Sequence, residues 1–196
     1  MGTRKFREIV QINYERAIEV IQTGDLLFCS GTYLISEFIK KASQSDMSHV
    51  AFLFKWNGRV LVFESVEQAG VRIIPLLHYV SNYDNSGKKY KGSLYIARHE
   101  KLIDSAFDEA LLSPMLGKGI DSLNQQYAQA EIMRILTRIQ LGIGQRKNQN
   151  EFICSEFVDQ CFQQIGIQFA RGEGDFIYPE HIAADQRVFP LFELVV

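Results

Sequence analysis

The spacing of apolar positions changes several times along the chain, and each change marks an element. Phe6, Ile9, Val10, Ile12, Ala17, Val20 and Ile21 recur among charges, which predicts an amphipathic helix over residues 5–21. Thr23-Gly24-Asp25 breaks it, and 25–30 (DLLFCS) is an apolar run of strand length. Residues 31–43 return to helical spacing, with Lys40 and Lys41 in the last turn. Strand-like runs follow at 48–56 and 59–66, joined by Asn57-Gly58, a strong signal for a two-residue hairpin turn. Further strands are predicted at 71–77, ending near Pro75, and at 93–100. Helical spacing then predicts helices at 101–113, stopped by Pro114, and at 126–144, with a loop between them. A third helix is predicted from Cys154 to a stop at Gly166, a short one near 179–185, and a closing strand at 188–196. Antiparallel strands followed by helices make an α+β fold. It is expected to form one domain over 1–196, with a β half at about 23–100 and a helical half at about 101–196.

Composition narrows the class. With 196 residues, 46% hydrophobic and 22% charged, the chain can bury a core without disulfides or metals. A net charge of -2 offers no electrostatic case for nucleic acid or for an anionic membrane surface. No apolar run approaches the roughly 20 residues of a membrane span. The three cysteines form no CxxC pair, which argues against a disulfide framework and a cysteine-rich zinc site. Reduced thiols, and a first segment without a signal-peptide pattern, place the expected location in the cytoplasm. Residues 172–175 (GEGD) lack the Lys-Ser/Thr of a phosphate loop, and no HExxH is present, so no cofactor or metal is expected.

The chemistry centres on Glu151 to Cys161 (EFICSEFVDQC). Cys154, Phe157, Val158, Cys161, Phe162 and Ile165 form one helical stripe, on which a cysteine is ordinarily a core residue. Cys154 differs from Cys161 in opening the helix, where unpaired N–H groups and the dipole favour a thiolate, with Asn150 as a candidate cap. Cys29 and Cys161 read as core, Cys29 alternatively as cleft lining. Ser155 lies in no GxSxG elbow. A thiolate enzyme also needs a base and a group to orient it. Four histidines are available, His49, His78, His99 and His181, and generic chemistry does not rank them, although His49 at the start of a strand has the most rigid setting. Glu64 is a carboxylate within an otherwise apolar strand. If Asn57-Gly58 is a two-residue turn, Trp56 pairs with Arg59 and His49 opposes residue 66. Glu64 then lies on the same face, two residues off register, within reach of the ring.

The segments 24–28 (GDLLF), 48–65 (SHVAFLFKWNGRVLVFES), 70–76 (GVRIIPL) and 152–167 (FICSEFVDQCFQQIGI) resemble the NlpC-type papain-like cysteine peptidases and amidases. The cysteine segment follows the histidine half here instead of preceding it. That order resembles the circularly permuted YaeF/YiiX-like branch and, more distantly, the lecithin:retinol acyltransferase group. The resemblance runs from about Thr23 to Gly166. It implies Cys154 as nucleophile, His49 as base and Glu64 as the orienting residue, on an antiparallel sheet or barrel packed against helices. The stretch 116–123 (LGKGIDSL) departs from the branch at Ile120, where tyrosine is usual, and agrees at Asp121.

The expected function is a cysteine amidase or peptidase that cleaves peptide-type amides through a thioester. Ser48, Asp121 and Tyr178 are the candidate substrate contacts. Phe176, Ile177, Tyr178 and the strand around Phe28 would suit an apolar groove for an acyl chain, and equally the core, so a lipid-directed acyl hydrolase or transferase is the second reading. A non-catalytic binding protein on the same scaffold is the third.

Overall fold

The strand-like runs at 48–56 and 59–66 fold as strands. Strands β1 (Gln11–Ile12), β2 (Leu26–Gly31), β3 (His49–Trp56), β4 (Arg59–Val66), β5 (Gly70–Pro75), β6 (Gly92–His99) and β7 (Val188–Leu194) form one sheet in the order β1-β7-β6-β2-β3-β4-β5. Neighbours are antiparallel except β1 and β7, which run parallel. This computed structural model describes residues 2–32, 34–103, 109–126, 153–172 and 176–195. Asn57 and Gly58 take φ of 48° and 72°, the left-handed pair that a tight hairpin turn requires, and Trp56 pairs with Arg59. Pro190, which cannot donate to a ladder, sits in β7 where the register with β6 shifts at Ile96/Ala97.

Helices α1 (Tyr14–Val20), α2 (Leu34–Ser43), α3 (Leu76–Ser81), α4 (Ser113–Asp121), α5 (Cys154–Gln163) and α6 (Pro179–Ala184) cover the sheet. Period 2 divides the core into two layers. Phe28, Phe52 and Phe63 pack against Phe157, Val158 and Phe162 of α5. Leu27, Ala51, Leu53 and Val62 face the other way, toward Ala17 of α1 and Leu76 and Tyr79 of α3. The aromatic rings of the first layer fix α5 to the sheet: Phe157 lies 5.8 Å from Phe52 and 5.5 Å from Phe63, centroid to centroid. Among the described residues no helix is long and apolar enough to cross a membrane.

Three expectations are corrected. The continuous helix over 5–21 is a 3-10 turn (Gly2–Phe6), then β1, then α1. Gln11 and Ile12 find strand partners in Glu193 and Leu194, and Asn13 starts the helix afresh by accepting from the Arg16 N–H at 3.1 Å. Pro114 does not stop a helix but opens one, since its missing N–H costs nothing in a first turn. The expected loop at 115–125 is therefore largely α4; of the helix expected at 101–113, residues 104–108 lie outside the described residues, and 3-10 turns at Glu100–Leu102 and Glu109–Leu112 stand on either side of them. His78 lies in α3 and not in a turn. The helix expected at 126–144 and the Asn150 cap lie outside the described residues, apart from Gln126.

The glycines of α4 have separate roles. A Cβ on Gly119 would stand 2.6 Å from Phe63 Cε1, whereas one on Gly117 would meet nothing within 4 Å. Phe63 is hemmed in by Phe52, Phe54 and Phe157 and has little room to yield. Gly117→Ala is expected to stabilise by about 0.5–1 kcal/mol through helix propensity, and Gly119→Ala to destabilise by about 1–2 kcal/mol through overpacking. Urea midpoints of the two variants should move in opposite directions.

Candidate active site

His49 opens β3 at the boundary between the two core layers. Its Nε2 lies 2.9 Å from Glu64 Oε2. Glu64 projects from β4 into the layer of Val62 and Tyr79, while Cys154 belongs to the layer of Phe52 and Phe157. The imidazole spans the two, hydrogen-bonded to the carboxylate on one side and to the Cys154 thiol on the other. With Nε2 turned to Glu64, Nδ1 is the nitrogen left for the sulfur.

Electrostatics favour the charged ring. Burial alone would lower the His49 pKa. The charge and hydrogen bond of Cys154, then those of Glu64, outweigh it and raise the pKa to about 10. Glu64 is fully buried, which by itself would raise its pKa. The hydrogen bond and charge of His49, the charge of Arg72 and the Tyr79 hydroxyl hold it below the usual carboxylate value instead.

Cys154 is the first helical residue of α5, preceded by Ile153 at φ -85°, ψ 158° without a side-chain cap bond. Its N–H therefore has no partner within the helix. Ser155 pins this end of the helix by donating to the Ile177 carbonyl at 2.6 Å. Cys29 and Cys161 are both buried. Burial pushes the Cys29 thiol well above its ordinary value and Cys161 up to about 12, as suits core thiols.

The other histidines have structural partners. His99 Nδ1 accepts from the Lys101 N–H at 3.2 Å, and burial with nearby Arg187 lowers its pKa to about 4. His181 Nδ1 accepts from the Tyr178 N–H at 3.1 Å at the start of α6. His78 is carried on α3.

A cleft of about 410 Å³ opens beside His49, lined by Ser48, Glu67, Arg72, Asp84 and Asn85 among others. Ser48 is buried, and β2 occupies its hydroxyl, which donates to the Cys29 carbonyl and accepts from the Gly31 N–H. Asp121 is exposed at the end of α4 and is not part of the cleft lining. Tyr178 precedes α6 with its hydroxyl buried and without a hydrogen-bond partner among the described residues. Cys154, His49 and Glu64 are thus brought together, while Asp121 stands apart from them.

Two polar neighbours were not anticipated. Arg72, directly across from Glu64 on β5, donates through Nε to Glu64 Oε1 at 2.8 Å. Tyr79 of α3 donates to Glu64 Oε2 at 2.5 Å. An arginine within the apolar run 71–77 was the one sequence feature that a search for such a partner would have met.

Residues 20–113 match a family described as permuted papain-like amidase enzymes, YaeF/YiiX, C92 family, a span that includes His49 and Glu64 and stops before Cys154. The crystal structure of the metalloprotein yiiX from Escherichia coli O157:H7 shares the fold, with a TM-score of 0.51 and 18% identity. The alignment covers 87% of this chain and 96% of that one. No curated protein matches the chain. Over residues 20–113 the chain is thus similar to the permuted papain-like amidases of the YaeF/YiiX type.

Proposed function

We propose that the protein is a cysteine amidase that cleaves peptide-type amide bonds through a Cys154 thioester. The observation that carries this is the His49 ring, held between the Glu64 carboxylate and the Cys154 thiol. His49 holds the thiol proton through Nδ1, and the thiolate attacks the amide carbonyl. The N–H of Cys154, without a partner in its own helix, supports the oxyanion. The C–N bond then breaks as His49 passes its proton to the leaving amine. Water, deprotonated by His49, releases the acid and restores the thiol. Glu64 stays ionised throughout, fixing the tautomer and balancing the imidazolium.

The match of residues 20–113 to amidases favours an amide over a lipid ester. The cleft beside His49 does not decide between them, because polar Gln68, Arg72 and Asn85 alternate with apolar Ile39, Val66 and Ala69 and Cys154 is not in the lining. The yiiX structure is named a metalloprotein. The residues here do not fit an ion: both Glu64 oxygens accept from Arg72 and Tyr79, and among the described residues no three His, Cys, Asp or Glu side chains group as ligands.

Iodoacetamide separates the three thiols. Because His49 keeps its proton up to about pH 10, Cys154 should alkylate at neutral pH at least about 100-fold faster than Cys29 and Cys161, whose burial disfavours the thiolate. Residue-resolved mass spectrometry reads the rates. Three equal rates would remove the basis for a nucleophile. Turnover of short peptide amides, compared with that of fatty acyl esters, then tests the substrate class.

A further inference from the structure

We infer that Arg72 and Tyr79 are positioning residues that act on the base through Glu64, keeping a buried carboxylate ionised and aimed at His49. The inference rests on the Cys-His-Glu reading above. It comes from the way each oxygen of Glu64 is claimed. Oε1 accepts from Arg72 Nε at 2.8 Å, and Oε2 accepts from the Tyr79 hydroxyl at 2.5 Å while facing His49 Nε2 at 2.9 Å. Glu64 is 0% exposed, so these donors replace the water that would otherwise solvate it. Rotation of the carboxylate would break bonds to two separate elements, β5 and α3. An orienting group held by one partner could swing, but one held by three cannot.

Arg72 is itself held from the cleft side, its NH2 donating to Asp84 Oδ1 at 3.0 Å. Asp84 takes φ 50°, ψ 36°, a left-handed conformation uncommon for a residue with a side chain. A continuous run of hydrogen bonds therefore leads from the cleft rim to the thiol: Asp84, Arg72, Glu64, His49, Cys154.

The titratable and charged groups facing Glu64 are His49 from β3, Arg72 from β5, Tyr79 from α3, Cys29 from β2 and Tyr83 from the turn after α3, with Asp84 of that turn behind Arg72. The donors among them, His49, Arg72 and Tyr79, all favour the ionised carboxylate. Removing one lets Glu64 take up a proton at higher pH. A neutral Glu64 no longer supports the imidazolium, and the thiolate loses its counter-charge.

The test is the pH profile of Cys154 alkylation by iodoacetamide in the full chain. The wild type is compared with Tyr79→Phe, Arg72→Gln and Arg72→Lys. Tyr79→Phe and Arg72→Gln should move the acid limb up by about one pH unit, an approximately tenfold loss of rate on that limb, with near-parent rates at the plateau. Arg72→Lys, which keeps the charge, should move it less. A limb that stays in place, whether rates are unchanged or uniformly lower, overturns the inference, since a merely structural role would not move it. If Arg72→Gln fails to fold, Tyr79→Phe, which loses a single hydroxyl, decides alone. If wild-type Cys154 reacts no faster than Cys29 and Cys161, the proposed function fails. The clamp is then judged by carbon-13 NMR titration of the Glu64 carboxyl in Tyr79→Phe, where an unmoved midpoint overturns it.

Discussion

Cys154→Ala is expected to abolish acyl-enzyme formation with p-nitrophenyl acetate, lowering the rate by about 10⁴-fold or more, while leaving the fold intact. The thiol is one of many side chains in its core layer, and the helix behind it is held by Phe157, Val158 and Phe162. Trading sulfur for hydrogen at this site should cost only about 1 kcal/mol. Activity and stability therefore separate. His49→Ala should cost a comparable amount of activity, and the double variant little more than either single one, because a nucleophile and its base act as a unit. Stopped-flow measurement of the nitrophenolate burst gives the rates, and the intact-protein mass gives the acyl group. An acetyl group mapped to any residue other than Cys154, or a burst that persists in Cys154→Ala, would assign the chemistry elsewhere.

The pairing of His49 with Glu64 was legible in the sequence because it depends on local rules. A two-residue Asn57-Gly58 turn sets the β3–β4 register, and period 2 then sets the shared face. The opening position of Cys154 in α5 was legible for the same kind of reason, a stripe with a defined start. Arg72 and Tyr79 were harder to find. The link from β4 to β5 turns at Gly70 with φ +64°, over a span that does not announce its register, so the placement of Arg72 opposite Glu64 could not be counted. Tyr79 sits in a six-residue helix after Pro75, too short to show a period. The N-terminal segment misled for a different reason. Its helical spacing was outweighed by strand partners at the far end of the chain, with Gln11 donating to Glu193 Oε2 at 2.8 Å. The meeting of His49 with Cys154 depends on tertiary packing across the whole sheet, which only the resemblance to permuted papain-like enzymes suggested.

Glu64→Ala should be the most destabilising single change at the site, by about 3–5 kcal/mol. The reason is what it leaves behind. His49, Arg72 and Tyr79 all point at the vacated space, and Tyr79 is fully buried, so no solvent replaces the lost acceptor there. Glu64→Gln fills the volume but sets an NH₂ against one of those donors, and should cost about 1–3 kcal/mol. The pH dependence identifies the source. The depressed Glu64 pKa adds stability that is present above the carboxyl's ordinary value and is lost as pH falls through the folded one. His49, raised to about 10, adds stability that is complete below its ordinary value and is lost as pH climbs through about 10. Urea unfolding of the wild type should therefore weaken at both ends of the pH scale. In Glu64→Ala the acid-side loss should shrink to the part that Asp185, also held below the ordinary carboxylate value, still contributes, and the alkaline-side loss should shrink, since His49 has lost its carboxylate partner. A variant as stable as the parent, with both limbs unchanged, would mean that the carboxylate contributes nothing to the fold or to the charge state of the base.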